Sequence, residues 1–112
     1  MKAYEILEEA ALLATGSPPI PLIKKTGVGL INTVLCDLGL ATVNALSDEL
    51  PLAEPRDGTT AAKGIAALIA LLIGDDSAAV GWRTLYEGSK SRAKRHISRV
   101  KNTAFGGGDF ED

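Results

Sequence analysis

Residues 61–73 read AAKGIAALIALLI, a run that carries one charge, Lys63, and stops at Gly74-Asp75-Asp76. Alanine and leucine favour helix, and the apolar positions here surround the 3.6-residue period instead of forming one stripe. A helix of this kind has to be enclosed by neighbours. Ala61, Ala62, Gly64, Ala66, Ala67 and Ala70 are small enough to let those neighbours come close. The expected span is 59–73, with Gly74 as the C-terminal stop.

A second helix is expected to begin at Asp75 to Ser77, whose side chains can accept bonds from free backbone N–H groups and suit the positive end of the helix dipole. Ala78, Trp82, Leu85, Tyr86, Ser89 and Ala93 recur at helical spacing and mark its inward face. Basic residues collect at its far end, and the helix is expected to fray between 95 and 100. Trp82 and Tyr86, four apart, predict a core anchor where the first, third and fourth helices meet. On that reading truncation of Trp82 costs about 3–5 kcal/mol.

Two helices precede this hairpin. Residues 2–14 place Tyr4, Ile6, Leu7, Ala11 and Leu13 on a broad apolar face, and Gly16 with Pro18-Pro19 ends them. Residues 21–38 form the next, most clearly over 28–38, where Val28, Ile31, Leu35 and Leu38 share a stripe and Gly39 follows. Gly27 and Gly29 each cost about 1 kcal/mol relative to alanine, which weakens its first turn. The connection at 40–58 carries Pro51, Pro55 and Asp57-Gly58 and is longer than compact domains usually use. It reads either as a strap covering the core with Leu46, Leu50 and Leu52 or as a partner-binding loop. Residues 43–46 suit a helical turn.

The architecture expected is therefore all-α, a small four-helix domain at 1–96 with a long linker between helices 2 and 3 and an extended, flexible C-terminal arm at 97–112. Aromatics are 4% of the 112 residues against 46% apolar, so Leu, Ile, Val and Ala must build the core. Expected core members are Leu35, Ile69, Leu72, Trp82, Leu85 and Tyr86. Glu5, Glu8 and Glu9 stand where a signal peptide would be apolar. The apolar run 65–73 is far short of the roughly 20 residues that span a bilayer. One cysteine, Cys36, excludes an internal disulfide and fits a reducing compartment. The expectation is a cytosolic chain with no membrane contact.

Charge is segregated. Residues 1–81 hold ten acids and five bases, a net of −5; residues 83–101 hold seven bases and one acid, +6; residues 102–112 hold three acids, −3. A basic segment between acidic ones can bind phosphates, pair with an acidic surface of another subunit, or solvate a helix end. Catalysis finds little support. His96, the single histidine, sits inside the basic run without a nucleophile or orienting acid near it in sequence. Cys36 lacks the neighbours that make a thiolate, and neither residue has metal-ligand spacing with another. Glycines 106–108 precede acids, not a helix, so they do not cradle phosphate. The expectation is a protein without enzymatic activity, metal or cofactor.

The order of parts resembles the small helical head–tail connector proteins (adaptors or head-completion proteins) of tailed bacteriophages and prophages. The matching parts are YEILEEAALLA, LINTVLCDLGL, a proline-bearing linker, and AAKGIAALIALLIGDDSAAVGWRTLYEGSKSRAKR. In that family a buried helix ends at a Gly-Asp turn, and the next carries an aromatic, a Leu-Tyr pair and a basic end leading to an arm. Here these are Gly74-Asp75, Trp82, Leu85-Tyr86 and the basic stretch 92–95. The linker ELPLAEPRDGTTAAKG and the interrupting Gly27 and Gly29 depart from the pattern.

The resemblance implies a virion structural protein in a ring between the portal and the tail or stopper proteins, around the DNA channel. It also implies an arm that docks on the portal or on a neighbouring copy. Carried to this sequence, the contact residues are Lys90, Arg92, Lys94, Arg95, Arg99 and Lys101 at the helix end, and Phe105 and Phe110 in the arm. Assembly would take place in the cytoplasm of the bacterial host. The alternative is a small DNA-binding protein that meets phosphates non-specifically through the same basic end. Asp75 and Asp76 stand where a helix-turn-helix would meet bases, against sequence-specific reading. A helical scaffold or regulator with one cellular partner is a third class.

Overall fold

The computed structural model describes the backbone of residues 1–52 and 55–105, and the side chains of residues 1–52 and 57–92. Among these residues the protein is an all-α domain of four helices: α1 (Ala3–Thr15), α2 (Pro21–Asp37), α3 (Pro55–Leu72) and α4 (Asp76–Phe105). Their order and type match the sequence expectation, and the differences lie at their ends.

α3 is the central element. It packs against α1, α2 and α4. Ala61, Ala62, Ile65, Ala66, Ile69 and Ala70 are buried, as a helix apolar on all sides requires. Ile6, Leu7, Ile23, Ile31 and Leu35 close the core from α1 and α2. Tyr4 and Leu13, expected on the inner face of α1, are exposed instead, because α1 meets the body through the narrower Ala3, Ile6, Leu7, Ala10, Ala11 stripe.

α2 begins at Pro21, in the first helical position, and runs unbroken through both glycines. Gly27 is the reason. A Cβ there would stand 2.6 Å from Leu7 Cδ2, so the glycine is a notch that seats Leu7 of α1. The packing offsets the propensity cost that weakened this turn in sequence. Gly39 and Gly74 end α2 and α3 with left-handed φ values of 75° and 82°. At each, the residue after the glycine donates back five positions: Leu40 to Leu35 at 2.8 Å and Asp75 to Ala70 at 2.8 Å. This is the Schellman arrangement, which only glycine enters without strain.

α3 starts at Pro55, four residues before the expected Thr59, again with proline in a first-turn position. The linker is correspondingly shorter and is a strap. Leu50 is buried, and Leu46 and Leu52 pack on the core. No helical turn forms at 43–46; the chain bends there, and Asp48 Oδ2 accepts the amides of Asn44 (2.8 Å) and Ala45 (3.1 Å). The strap also serves α1, whose first N–H groups have no partner inside the helix. Ala3 N–H donates to Asp48 O and Tyr4 N–H to Leu46 O, both at 2.9 Å. Asn32 of α2 fixes the strap from the other side, donating to Val43 O and accepting from Val43 N–H, each at 2.8 Å.

α4 is antiparallel to α3. Asp75 caps it, accepting the Ala78 N–H through Oδ1 at 3.2 Å and the Ala79 N–H through its carbonyl at 3.0 Å. The helix continues to Phe105 and does not fray between 95 and 100, so residues 97–105 of the expected extended arm are helical. Residues 106–112, with Phe110, lie outside the described residues.

Two expected core residues are not in the core. Leu72 and Leu85 are both exposed. Leu72 lies in the last turn of α3, where that helix emerges from the bundle. Leu85 misses the stripe Ala79, Trp82, Tyr86, Ser89 by which α4 meets α3, its one main neighbour. Trp82 is half-buried at the edge of the core, so its truncation falls below the 3–5 kcal/mol of a fully buried aromatic.

Candidate functional site

α2 and α4 stand on either side of α3 and leave an open groove of about 730 Å³ between them. Its floor is the small-residue face of α3, with Gly64, Ala67, Leu68 and Leu71. One wall is α2, with Thr33, Cys36 and Asp37. The other is α4, with Asp76, Val80, Arg83 and Glu87, spaced as one stripe of a helix. The groove is apolar along its floor and charged along its rims.

The Asp37 end of the groove is tied shut. Tyr86 O–H donates to Asp37 Oδ2, and Lys90 Nζ donates to the same oxygen at 2.8 Å. Lys90 also pairs with Glu87 Oε1 at 3.1 Å and lies 5.2 Å from the centre of the Tyr86 ring. A turn further along, Ser89 Oγ accepts from Lys63 Nζ at 3.1 Å and Arg92 Nη2 at 3.4 Å. The Tyr86 ring reaches this position because residue 64 is glycine. A Cβ on Gly64 would stand 2.9 Å from two ring carbons and 3.1 Å from Val34 Cγ2. Tyr86 therefore sits where α2, α3 and α4 meet, not at the expected junction with α1.

Burial, then the hydrogen bond to Asp37, hold the Tyr86 phenol well above its ordinary value of 10.0. It stays a neutral donor. The bond to Asp37 likewise raises Lys90, which remains charged. This arrangement supplies a latch and not a reacting pair, because the carboxylate is occupied by two donors and the phenol is held protonated. Among the described residues, no three His, Cys, Asp or Glu side chains lie together as metal ligands would. Cys36 is exposed on the α2 wall.

The structure divides the expected contact residues. Lys90 is half-buried and engaged with Asp37 and Glu87, so it belongs to the fold. Arg92 is exposed and bonded to Ser89. The side chains of Lys94, Arg95, Arg99, Lys101 and Phe105 lie outside the described residues, although their backbone is part of α4. Of the expected core set, Leu35, Ile69 and Tyr86 are buried. Sequence reasoning missed the groove and the Asp37 latch. The available signal was Asp37 itself, a lone acid in the last turn of α2, where the helix dipole disfavours negative charge unless a cation compensates.

The hairpin register bears on the basic segment. Ser89 lies beside Lys63 and Tyr86 beside Gly64, which sets Pro55 level with about residue 95 to 97 at the usual helical rise. α4 has 30 residues against 18 in α3, so its last turns run past the start of α3. Compared with known proteins, the chain matches no family model, no curated protein sequence and no solved structure.

Proposed function

We propose that this chain is a non-enzymatic structural protein of a phage virion, joining the portal to the tail or stopper proteins as one copy in a ring around the DNA channel. The observation that carries this reading is the α3–α4 hairpin. A buried helix and a Gly74-Asp75 turn hold a longer helix with a basic second half, whose last turns run past the start of α3. A helix whose sequence carries Lys94, Arg95, Arg99 and Lys101 offers an already helical docking element for an acidic partner surface. The motif order that resembles the connector proteins supports the same reading.

Non-specific DNA contact through the same residues is compatible with a position at a DNA channel. As the sole function it has less support, because Lys90 is committed to Asp37 and acids flank the basic stretch.

The test is deletion of residues 104–112 in an assembling system. These residues hold little apolar surface beyond Phe105 and Phe110, so the truncated chain should fold with unchanged helicity and melting. Head–tail joining should fail. Normal assembly with the truncated chain would remove the docking role from residues 104–112.

A further inference from the structure

Among the described residues eleven large apolar side chains are exposed, and eight of them fall at one end of the bundle. Chain directions bring them together. α1 and α2 form an antiparallel pair with Leu7 against Gly27, and α3 and α4 form another. α1 and α3 run parallel, since Met1 lies beside Gly58. The end of α1 (Leu12, Leu13), the start of α2 (Ile20, Leu22), the end of α3 (Leu71, Leu72, Ile73) and the start of α4 (Val80) therefore share one pole. α3, central in the bundle, emerges in its middle.

The fractional exposures of these eight side chains run from 37% to 67%. Together they leave on the order of 600 Å² of apolar side chain in water, at the upper limit of the largest patch on an ordinary monomer. With its polar rim, that approaches the roughly 800 Å² that each partner contributes to a standard stable interface. Among the described residues the other exposed large apolar side chains, Met1, Tyr4 and Leu85, make no second surface of this size.

Charge favours a second copy of this chain as the partner. Lys24 and Lys25 flank the pole on α2, and Asp75 and Asp76 flank it on α4, on opposite sides of α3. Asp76 lines the groove on the α4 stripe with Val80 and Arg83, and Lys25 is exposed on α2, two turns before Thr33. Among the described residues Lys24, Lys25 and Asp76 enter no ion pair within the chain. A two-fold axis through the pole exchanges the two flanks, which is what an isologous contact demands.

We propose that this pole is a self-association surface, through which two copies meet end to end with the lysines of each facing Asp75 and Asp76 of the second copy. The inference goes beyond the connector reading and does not depend on it, since it concerns the purified chain alone.

Sedimentation equilibrium of the full chain across micromolar concentrations tests it, with circular dichroism as the control for folding. The expected mass is about twice 11.7 kDa, falling to one copy on dilution. Val80→Glu and Leu71→Glu change exposed positions and should keep native helicity while raising the dimer Kd at least about tenfold. Lys25→Glu should raise it about threefold or more, and adding Asp76→Lys should restore much of the loss. A folded wild type that stays monomeric to hundreds of micromolar overturns the proposal. So does a dimer indifferent to Val80→Glu and Leu71→Glu, or a monomer that floats with phosphatidylcholine vesicles, which would give the surface to lipid.

Discussion

Tyr86 ties α4 both to α3 and to α2. Its ring fills the space above Gly64, and its hydroxyl reaches Asp37 of α2. Because the folded state raises the phenol above 10.0, its contribution is fully present below that pH and is lost as pH rises past it. Lys90, also raised, acts in the same direction. Thermal melting should therefore fall steeply above about pH 10, and Tyr86→Phe should flatten that fall while costing about 1 kcal/mol at neutral pH. Equal slopes in the two proteins would show that the phenol does not titrate against the fold. Gly64→Ala tests the packing half of the contact. The added methyl must displace the ring or Val34, at a cost of about 1–3 kcal/mol. That lowers the melting temperature by roughly 4–8 °C per kcal/mol in a domain of this size. A neutral result would mean that the ring can move aside.

At the scale of elements, the strap between α2 and α3 is the least local part of the fold. Asn32 holds it by a two-way amide bond to Val43, and the strap in turn supplies acceptors to the start of α1. Asn32→Ala leaves both Val43 groups without their partner and should cost about 1–3 kcal/mol. Amide exchange should accelerate over residues 43–50 and at Ala3 and Tyr4 before it does in α3. Uniform acceleration across the chain would show that the strap has no local stability of its own. The legibility of these elements follows the same division. The stops at Gly39 and Gly74, the cap at Asp75 and the enclosed helix at 61–70 were readable because each depends on neighbours in sequence. Gly27 was read as a weakness because the Leu7 that fills its notch is twenty residues away. Leu72 and Leu85 were read as core because periodicity marks an apolar position without saying whether another helix covers it. The groove was invisible for a related reason: its walls are two helices distant in sequence, set on either side of a third.

The whole molecule is a compact bundle with two unlike ends. At one, eight exposed apolar side chains gather, three of them at the end of α3 itself; at the other, the last turns of α4 run past the start of α3. Such polarity suits a part that is held by one end and joins something at the other, and the charge distribution follows it, with net −5 over residues 1–81 and +6 over 83–101. If the basic turns dock against an acidic protein surface, reversing Arg95 and Arg99 to glutamate should abolish joining without changing the melting temperature by more than about 0.5 kcal/mol equivalent. Loss of joining accompanied by unfolding would assign those residues to the fold. The claim that stands above these is the place of the chain in a particle. Quantitative mass spectrometry of purified particles, from the source phage or an induced lysogen, tests it most directly. The account predicts this chain in mature particles at a copy number comparable to the portal's, and its absence from otherwise complete particles would contradict it.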